Sequence, residues 1–318
     1  MSTMRPAIDT ASAADAVLAA KGRSFHWARH LLGRVHAARA TRLYGFCRHV
    51  DDLADEATSA GAAREALASV ARAVDAGTSA DPIVVDALAL MRECGIDPVV
   101  VLELIKGVAS DIDPVRMPDQ DALLRYCYQV AGTVGLMMCR VLDVDDAASF
   151  PHAIDLGIGM QLSNICRDVS EDAASDRRYL PASMIGDLPA EALILPCDSL
   201  QPRLRRCVAD LLDRADIYYR SGEQGLAYLP AGARAAILVA ARVYRAIGTR
   251  LRHRDYAYWT GRAMVPKGVK AALTARALLT TPVRPSFWSP SRRHDEALHA
   301  ALVGLPYIVP RSASTDAG

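Results

Sequence analysis

Two segments of the chain carry residue types that hold a cation when placed on one helical face. The first is Tyr44-Gly-Phe-Cys-Arg48-His-Val-Asp51-Asp52-Leu-Ala-Asp55-Glu56, in which Asp51 and Asp55 stand four residues apart and share a face. Neighbouring carboxylates raise each other's pKa unless a cation sits between them. Alone, this segment also fits an acidic, solvated helix surface, although Leu43, Phe46, Cys47 and Val50 crowd the same helix with apolar bulk. The second segment, Gln161-Leu-Ser-Asn164-Ile-Cys-Arg167-Asp168-Val-Ser-Glu171-Asp172, repeats the geometry with Asp168 and Asp172. Asn164 falls four residues before Asp168 and Gln161 three before Asn164, so the four form one polar stripe. The preceding turns carry Ile154, Leu156, Ile158 and Met160, too apolar for a solvent-facing element. A polar stripe on a buried helix is costly unless something binds it.

Two such stripes, more than a hundred residues apart, predict opposed helices whose carboxylates meet across a cavity. Oxygen-only ligands select hard cations, so Mg²⁺ is expected rather than Zn²⁺, with Mn²⁺ as the alternative. Mg²⁺ shares its coordination among a few carboxylates, waters and substrate phosphate oxygens, which points to a diphosphate. Basic residues support this. Lys21, Arg23 and Ser24 precede Phe25, Arg48 lies one turn before the first acids, and Arg177-Arg178-Tyr179-Leu180-Pro181 follows the second set. Arg262, Lys267 and Lys270 cluster further on, and arginine suits bidentate phosphate contacts. Arg203, Arg205, Arg206, Arg250, Arg252 and Arg254 read instead as solvated helix faces.

A third segment, Tyr126-Cys-Tyr128-Gln-Val-Ala131-Gly132-Thr-Val134-Gly135, places two glycines within one turn. Each costs about 1 kcal/mol relative to alanine inside a helix. Gly132 and Gly135 either permit close helix packing or open a channel for a long hydrocarbon; the sequence leaves both readings open.

The elements that position these groups are helical. Alanine is abundant, β-branched alternation is rare and apolar residues recur at the 3.6-residue period, so the chain reads as all-α. Helices are expected over 24–33, 36–59, 62–76, 82–94, 97–110, 119–142, 147–171, 202–228, 231–255 and 267–279. Breakers separate them at Gly61, Gly77 to Pro82, Gly95 to Pro98, Asp113 to Pro118 and Pro151. The longest non-helical stretch runs from Asp172 to Pro202. With no dividing linker, residues 1–318 read as a single helical domain, its core at about 20–285 and its tail loose after about 305.

Charge and composition exclude several classes. Lys and Arg number 37 against 36 Asp and Glu, a net of +1, where a nucleic-acid binder carries a basic excess. At 51% hydrophobic the chain buries too much to be disordered. No apolar run reaches the roughly 18 residues of a transmembrane helix, and the N-terminus lacks a signal peptide's basic-then-apolar order. Seven cysteines without a CxxC pair read as reduced, core-filling thiols of a cytoplasmic protein. Gly157-Ile-Gly159-Met-Gln-Leu162 lacks the third glycine of a dinucleotide fingerprint, and His26 and His30 have no third ligand for zinc.

Tyr44 to Asp55 and Gln161 to Pro181 resemble the two signature motifs of the squalene/phytoene synthase family, the trans-prenyl head-to-head synthases. Lys21 to Phe25, Tyr126 to Gly135 and the spacing to Tyr244 and Lys267 also match, so the resemblance spans about residues 20–280. Within the family, Tyr126 to Met138 and Gln161 to Pro181 are most similar to the bacterial phytoene-forming branch. The resemblance implies an isoprenoid-synthase-type helical bundle around a central apolar cavity. It implies Mg²⁺-dependent head-to-head condensation of two geranylgeranyl diphosphates, through prephytoene diphosphate, to phytoene and two diphosphates. That reaction is the first committed step of carotenoid biosynthesis and needs no NADPH.

By the same resemblance Asp51, Asp55, Asp168 and Asp172, with Asn164, are metal ligands. Lys21, Ser24, Arg48, Arg177 and Lys267 fall where the family holds diphosphate oxygens, and Arg23, Gln161, Asn164 and Arg262 are assigned to the same role beside them. Some relatives carry His where this chain has Lys21, an exchange a phosphate-holding role survives. Phe25, Tyr126, Ala131, Gly132, Val134 and Gly135 fall along the prenyl-chain cavity. Phe25, Tyr44 and Tyr244 either face a carbocation by cation–π contact or are plain core. Released diphosphate is the preferred final base and a tyrosine the second.

The nearest rival is the same chemistry on farnesyl diphosphate, giving squalene with NADPH or diapophytoene. Cyclases and chain-elongating prenyltransferases also use two Asp-rich helices, but the Tyr44–Arg48 and Gln161–Asn164 contexts disfavour them. A non-catalytic assembly factor of this fold would have lost the acids, which are all present. A forty-carbon product insoluble in water implies peripheral contact with the inner membrane and association with other carotenoid enzymes.

Overall fold

Caps and breakers decide where the helices begin and end. In the computed structural model, residues 31–280, 287–289 and 293–308 are described; the expected helix at 24–33 and the Lys21–Phe25 cluster fall outside them, save for 31–33, which form a turn. Helix α1 (Arg34–Asp55) buries Ala40, Leu43, Phe46 and Val50, one residue per turn. It stops four residues earlier than the periodicity suggests because Ser59 caps the next helix, α2 (Ala60–Ala76), accepting from the Ala62 N–H. Asp81 and Asp97 likewise cap α3 (Pro82–Cys94) and α4 (Pro98–Ala109), each with proline at the first helical position. Gly77 and Gly95 close α2 and α3 in the left-handed region, at φ 68° and 65°.

The helix expected over 119–142 is interrupted. It runs as α5 (Gln120–Cys127), a π-helical turn (Tyr128–Gly132) and α6 (Thr133–Val141). Such turns often mark functional sites. The longest helix, α7 (Phe150–Ala174), lies at the centre and packs against α9 (Gln201–Gln224), α10 (Ala231–Arg252), α6 and the π turn. Between α7 and α9 stands the short α8 (Ala182–Ile185), and α11 (Lys267–Thr280) packs on α10. The all-α reading has one exception among the described residues: β1 (Val115–Arg116) pairs in parallel with β2 (Arg177–Arg178). One contiguous apolar core joins these helices.

The two readings of the glycine segment are reconciled at Gly135. A Cβ there would lie 2.2 Å from the Ala153 carbonyl oxygen of α7, yet the residue also faces an apolar cavity. On α7, a Cβ at Gly157 would lie 2.3 Å from the Ala131 carbonyl oxygen. Backbone cannot retreat as a flexible side chain does, so Gly157→Ala is expected to cost about 1–3 kcal/mol in urea unfolding. Gly268→Ala on α11, where nothing lies within 4 Å, serves as the unhindered control and is expected to be neutral or stabilising by up to about 1 kcal/mol. Equal unfolding midpoints for the two variants would refute this reading of the contact.

Two expectations need correction. Cys127, Cys139, Cys166 and Cys207 are buried and Cys47 and Cys94 half-buried, but Cys197 is exposed in the loop before α9 and fills no core. The chain end is tied down as far as Ile308: Leu305 and Ile308 are buried, and the Tyr307 hydroxyl donates to Asp97 at 3.1 Å. Residues 309–318 lie outside the described residues. Among the described residues no helix is long and apolar enough to cross a membrane.

Candidate active site

Asp51 and Asp55 occupy the last turns of α1, and Asp168 and Asp172 the last turns of α7. All four line one cavity of about 170 Å³, together with Gln161, Asn164 and Arg177. The strand pair β1–β2 fixes Arg177 just beyond α7, and from there its guanidinium reaches α1 and the turn after α4. Its Nη2 donates to Asp55 Oδ1 at 2.9 Å and its Nε to the Asp111 carbonyl at 3.2 Å. Asp168 is held by Arg167 at 2.7 Å and by Arg262, whose Nε lies 2.9 Å away.

Negative charge in this cavity is undercompensated. Burial, with further contributions from Asp55 and Asp111, pushes Asp51 up to about 7 even though Arg48 opposes the shift. Burial and then the neighbouring Asp168 push Asp172 up to about 8 against the pull of Arg177. Asn164 donates its amide to Gln161 Oε1 at 3.4 Å, and its Oδ1 is buried with no partner among the described residues. A buried orphan acceptor amid carboxylates of raised pKa is the environment a cation relieves. The all-oxygen donor set fits a hard divalent ion.

This electrostatic state has a pH signature. Between the ordinary carboxylate range and about 7 to 8 the folded metal-free chain keeps protons on Asp51 and Asp172 that the unfolded chain has released. Raising the pH through that window therefore destabilises the metal-free fold, and a bound cation removes the penalty. The rise in Tm on adding Mg²⁺ is expected to be larger at about pH 8.5 than at about pH 6. A pH-independent shift in differential scanning calorimetry would contradict the assignment.

A second cavity, of about 310 Å³, is almost wholly apolar and shares Asp51, Gln161 and Asn164 with the first. Tyr44, Ala131, Val134, Gly135, Leu156, Met160 and Tyr244 line it. Burial raises the hydroxyl pKa of Tyr44 and Tyr244, so each stays neutral. Charged head and apolar body thus have adjoining compartments.

Several expected residues lie elsewhere. Tyr126 lines the acidic cavity, not the apolar one: its hydroxyl donates to Asp111 at 2.8 Å, and its ring stacks on Tyr179 at 4.9 Å. Gly132 is absent from the cavity wall because it faces inward between Tyr128 and Ile154. Arg48 turns to Asp52, one turn on, and its buried Nε has no partner among the described residues. Arg262 reaches the site through Asp168, and Lys267 is exposed at the start of α11. Lys21, Arg23, Ser24 and Phe25 fall outside the described residues.

The sequence reading missed Asp111 and the role of Tyr179. Both hydroxyls of Tyr126 and Tyr179 donate to Asp111, at 2.8 and 2.7 Å, yet burial still raises its carboxyl pKa. Asp111 follows α4 in a turn that reads as an ordinary polar connection, and no local pattern marks it. Tyr179 sits in the Arg177–Pro181 segment, where only the arginines carry the phosphate reading.

Residues 18–269 match the family model described as squalene/phytoene synthase. The phytoene synthase of Pseudescherichia vulneris is 34% identical over 267 residues, which cover 80% of this chain and 86% of that protein. The 15-cis-phytoene synthase of Paracoccus sp. (strain N81106 / MBIC 01143) is 35% identical over 243 residues, covering 73% of this chain and 78% of its own. Among solved structures, a dehydrosqualene synthase in complex with ligand superposes with a TM-score of 0.76 at 24% identity, over 86% of this chain and 97% of that one. Squalene synthase HpnC from Alicyclobacillus acidocaldarius gives 0.67 at 22% identity, over 78% and 94%. At such identities the likeness establishes the fold, the isoprenoid-synthase-type helical bundle.

Proposed function

The chain belongs to the squalene/phytoene synthase family, and on that premise we propose that it joins two geranylgeranyl diphosphates head to head, through prephytoene diphosphate, to form phytoene. It is a prenyltransferase of divalent-metal-dependent type, with Mg²⁺ as the proposed ion. One observation carries the reading: an acidic cavity with the orphaned Asn164 Oδ1 shares Asp51, Gln161 and Asn164 with an adjoining apolar cavity. A diphosphate fits the first and its hydrocarbon the second.

Asp51, Asp55, Asp168 and Asp172, with Asn164, would hold the metal, and Gln161 sets the Asn164 amide. When bound, Mg²⁺ supplies Lewis acidity toward the departing diphosphate. The Arg177 guanidinium, which lines the acidic cavity, would hold diphosphate oxygens, and Arg48, paired with Asp52, would join it only by turning from that partner. Loss of the leaving group creates an allylic cation that the apolar walls keep from water. Tyr44 and Tyr244 offer neutral aromatic faces to that charge. The proton lost in the last step would pass to the released diphosphate, with a tyrosine as the second candidate base.

The test is incubation of purified protein with Mg²⁺ and either the C20 or the C15 diphosphate, with and without NADPH. Phytoene from the C20 substrate, unaffected by NADPH, is expected. Turnover of the C15 substrate alone, to squalene or diapophytoene, would move the protein to the C30 branch.

Peripheral contact with the inner membrane forms part of the proposal. From Gly261 to His294 the chain has seven Lys or Arg and no acid. Within that stretch Met264, Val269, Leu278, Leu279 and Trp288 are exposed. Apolar groups beside cationic ones suit an anionic lipid surface. Sedimentation with phosphatidylglycerol vesicles is expected to fall at least about fivefold in the double variant Leu278→Glu, Leu279→Glu. Unchanged sedimentation would remove this face from consideration.

A further inference from the structure

Away from both cavities' acidic mouth, a second cluster of metal-ligating groups lies in the core. Asp155, fully buried on α7, receives the Nε2 atoms of His294 and His299 on separate carboxylate oxygens, each at 2.8 Å. The two rings are themselves nearly enclosed and lie 4.5 Å apart. The third imidazole nearby, His152, stands edge-on to His294 at 5.3 Å, its Nδ1 donating to the Ser221 carbonyl. Neither Mg²⁺ binding nor prenyl transfer, as described above, uses this cluster.

Two physical facts make it more than a pair of hydrogen bonds. A fully buried carboxylate needs a compensating charge, and among the described residues its ion-pair partners are these two histidines, with no Lys or Arg. Burial pushes the Asp155 carboxyl up, yet the two imidazoles bring it below the usual range, so the charged form is the one this pocket is built for. The donors also converge from distant parts of the chain, Asp155 from α7, His294 from just before the Asp295 cap and His299 from the 3₁₀ turn (Glu296–Leu302), and all lie within 4.8 Å of one another.

We propose that Asp155, His294 and His299 bind a zinc-type divalent cation that fastens the C-terminal segment onto α7. Two imidazoles and one carboxylate are a donor set of zinc and its first-row neighbours, where a fourth position is left to water. The all-oxygen cavity selects a harder ion, so the two sites discriminate between metals by ligand type. The clasp adds to the hydrogen bonds and the buried Leu302, Leu305 and Ile308 that already hold this segment. Arg125 donates to the Ala301 carbonyl at 2.9 Å and the Tyr218 hydroxyl to that of Leu298 at 2.8 Å. His152 also lines the apolar cavity, so the clasp stands directly behind the cavity wall.

The test strips the full chain with a chelator and titrates it with Zn²⁺ and with Co²⁺. Bound metal is counted by mass spectrometry, and the Co²⁺ environment is read by visible absorption. One equivalent is expected to bind at least about tenfold more tightly to the wild type than to His294→Ala or His299→Ala. Zn²⁺ should raise the Tm of the wild type and leave that of His294→Ala unmoved. Cys197→Ser separates this signal from an exposed thiol and is expected to retain it. His294→Ala, the less enclosed ring, decides the matter if His299→Ala does not fold. Mg²⁺-dependent turnover on the same preparations is expected to persist in His294→Ala, which distinguishes failure here from failure of the prenyltransferase reading. Equal Zn²⁺ affinity in wild type and His294→Ala, or a signal lost in Cys197→Ser, overturns the proposal.

Discussion

Replacing Asp51 by Asn should abolish turnover while making the metal-free protein more stable. The carboxylate is recessed in the acidic cavity and its pKa is driven up to about 7 by burial and by Asp55 and Asp111, with Arg48 only partly offsetting them. Above that pH the folded metal-free state holds an unfavourable charge that the unfolded chain solvates freely. Asparagine keeps the shape and removes the charge, so a gain on the order of 1–3 kcal/mol is expected near pH 8. On the proposed assignment the same change deletes a metal ligand and leaves the departing diphosphate less neutralised. Loss of about three orders of magnitude in kcat/KM follows, about 4 kcal/mol of transition-state stabilisation. Opposite signs in stability and activity are the mark of a functional carboxylate. Thermal unfolding without Mg²⁺ and diphosphate release with it measure the two halves. An Asp51→Asn protein that turned over at the wild-type rate would sink the metal assignment.

The second large effect concerns chain length. Val134 follows the π turn and lines the apolar cavity with its side chain half-buried. Val134→Phe adds four carbons to the wall of a space of about 310 Å³. Because the new ring enters open volume instead of packed core, stability should change by less than about 1 kcal/mol. A C20 chain loses the space while a shorter C15 chain keeps most of it. Turnover of geranylgeranyl diphosphate is therefore expected to fall about 100-fold and that of farnesyl diphosphate less than about tenfold. Product analysis with each substrate measures the ratio. Equal losses on both substrates would mean that Val134 does not bound the chain.

Much of this was legible along the chain because it depends on local geometry. Asp51 with Asp55, and Gln161, Asn164, Asp168 with Asp172, share faces by helical spacing alone, whatever the helices pack against. The caps Ser59, Asp81, Asp97 and Asp119 and the stops Gly77 and Gly95 act on their own neighbours, so most helix ends followed too. What could not be read was anything set by approach across the fold. The π turn at Tyr128–Gly132 lies where α7 presses its Gly157 against the Ala131 carbonyl, and a one-dimensional period cannot register that contact.

The site divides along the same line. Residue types and their spacing determined that this chain holds two acidic stripes with basic partners, the groups to which the proposed metal and diphosphate are assigned. Tertiary packing alone decided that Asp111 joins them, that Tyr126 turns to the acids instead of the hydrocarbon, and that Asp155 meets two histidines 139 and 144 residues away. The near-neutral charge, 37 bases against 36 acids, concealed all three clusters. Helical spacing is fixed by covalent geometry and survives in any context. A long-range contact exists only once burying the apolar core has offset the entropy of ordering the chain between its partners.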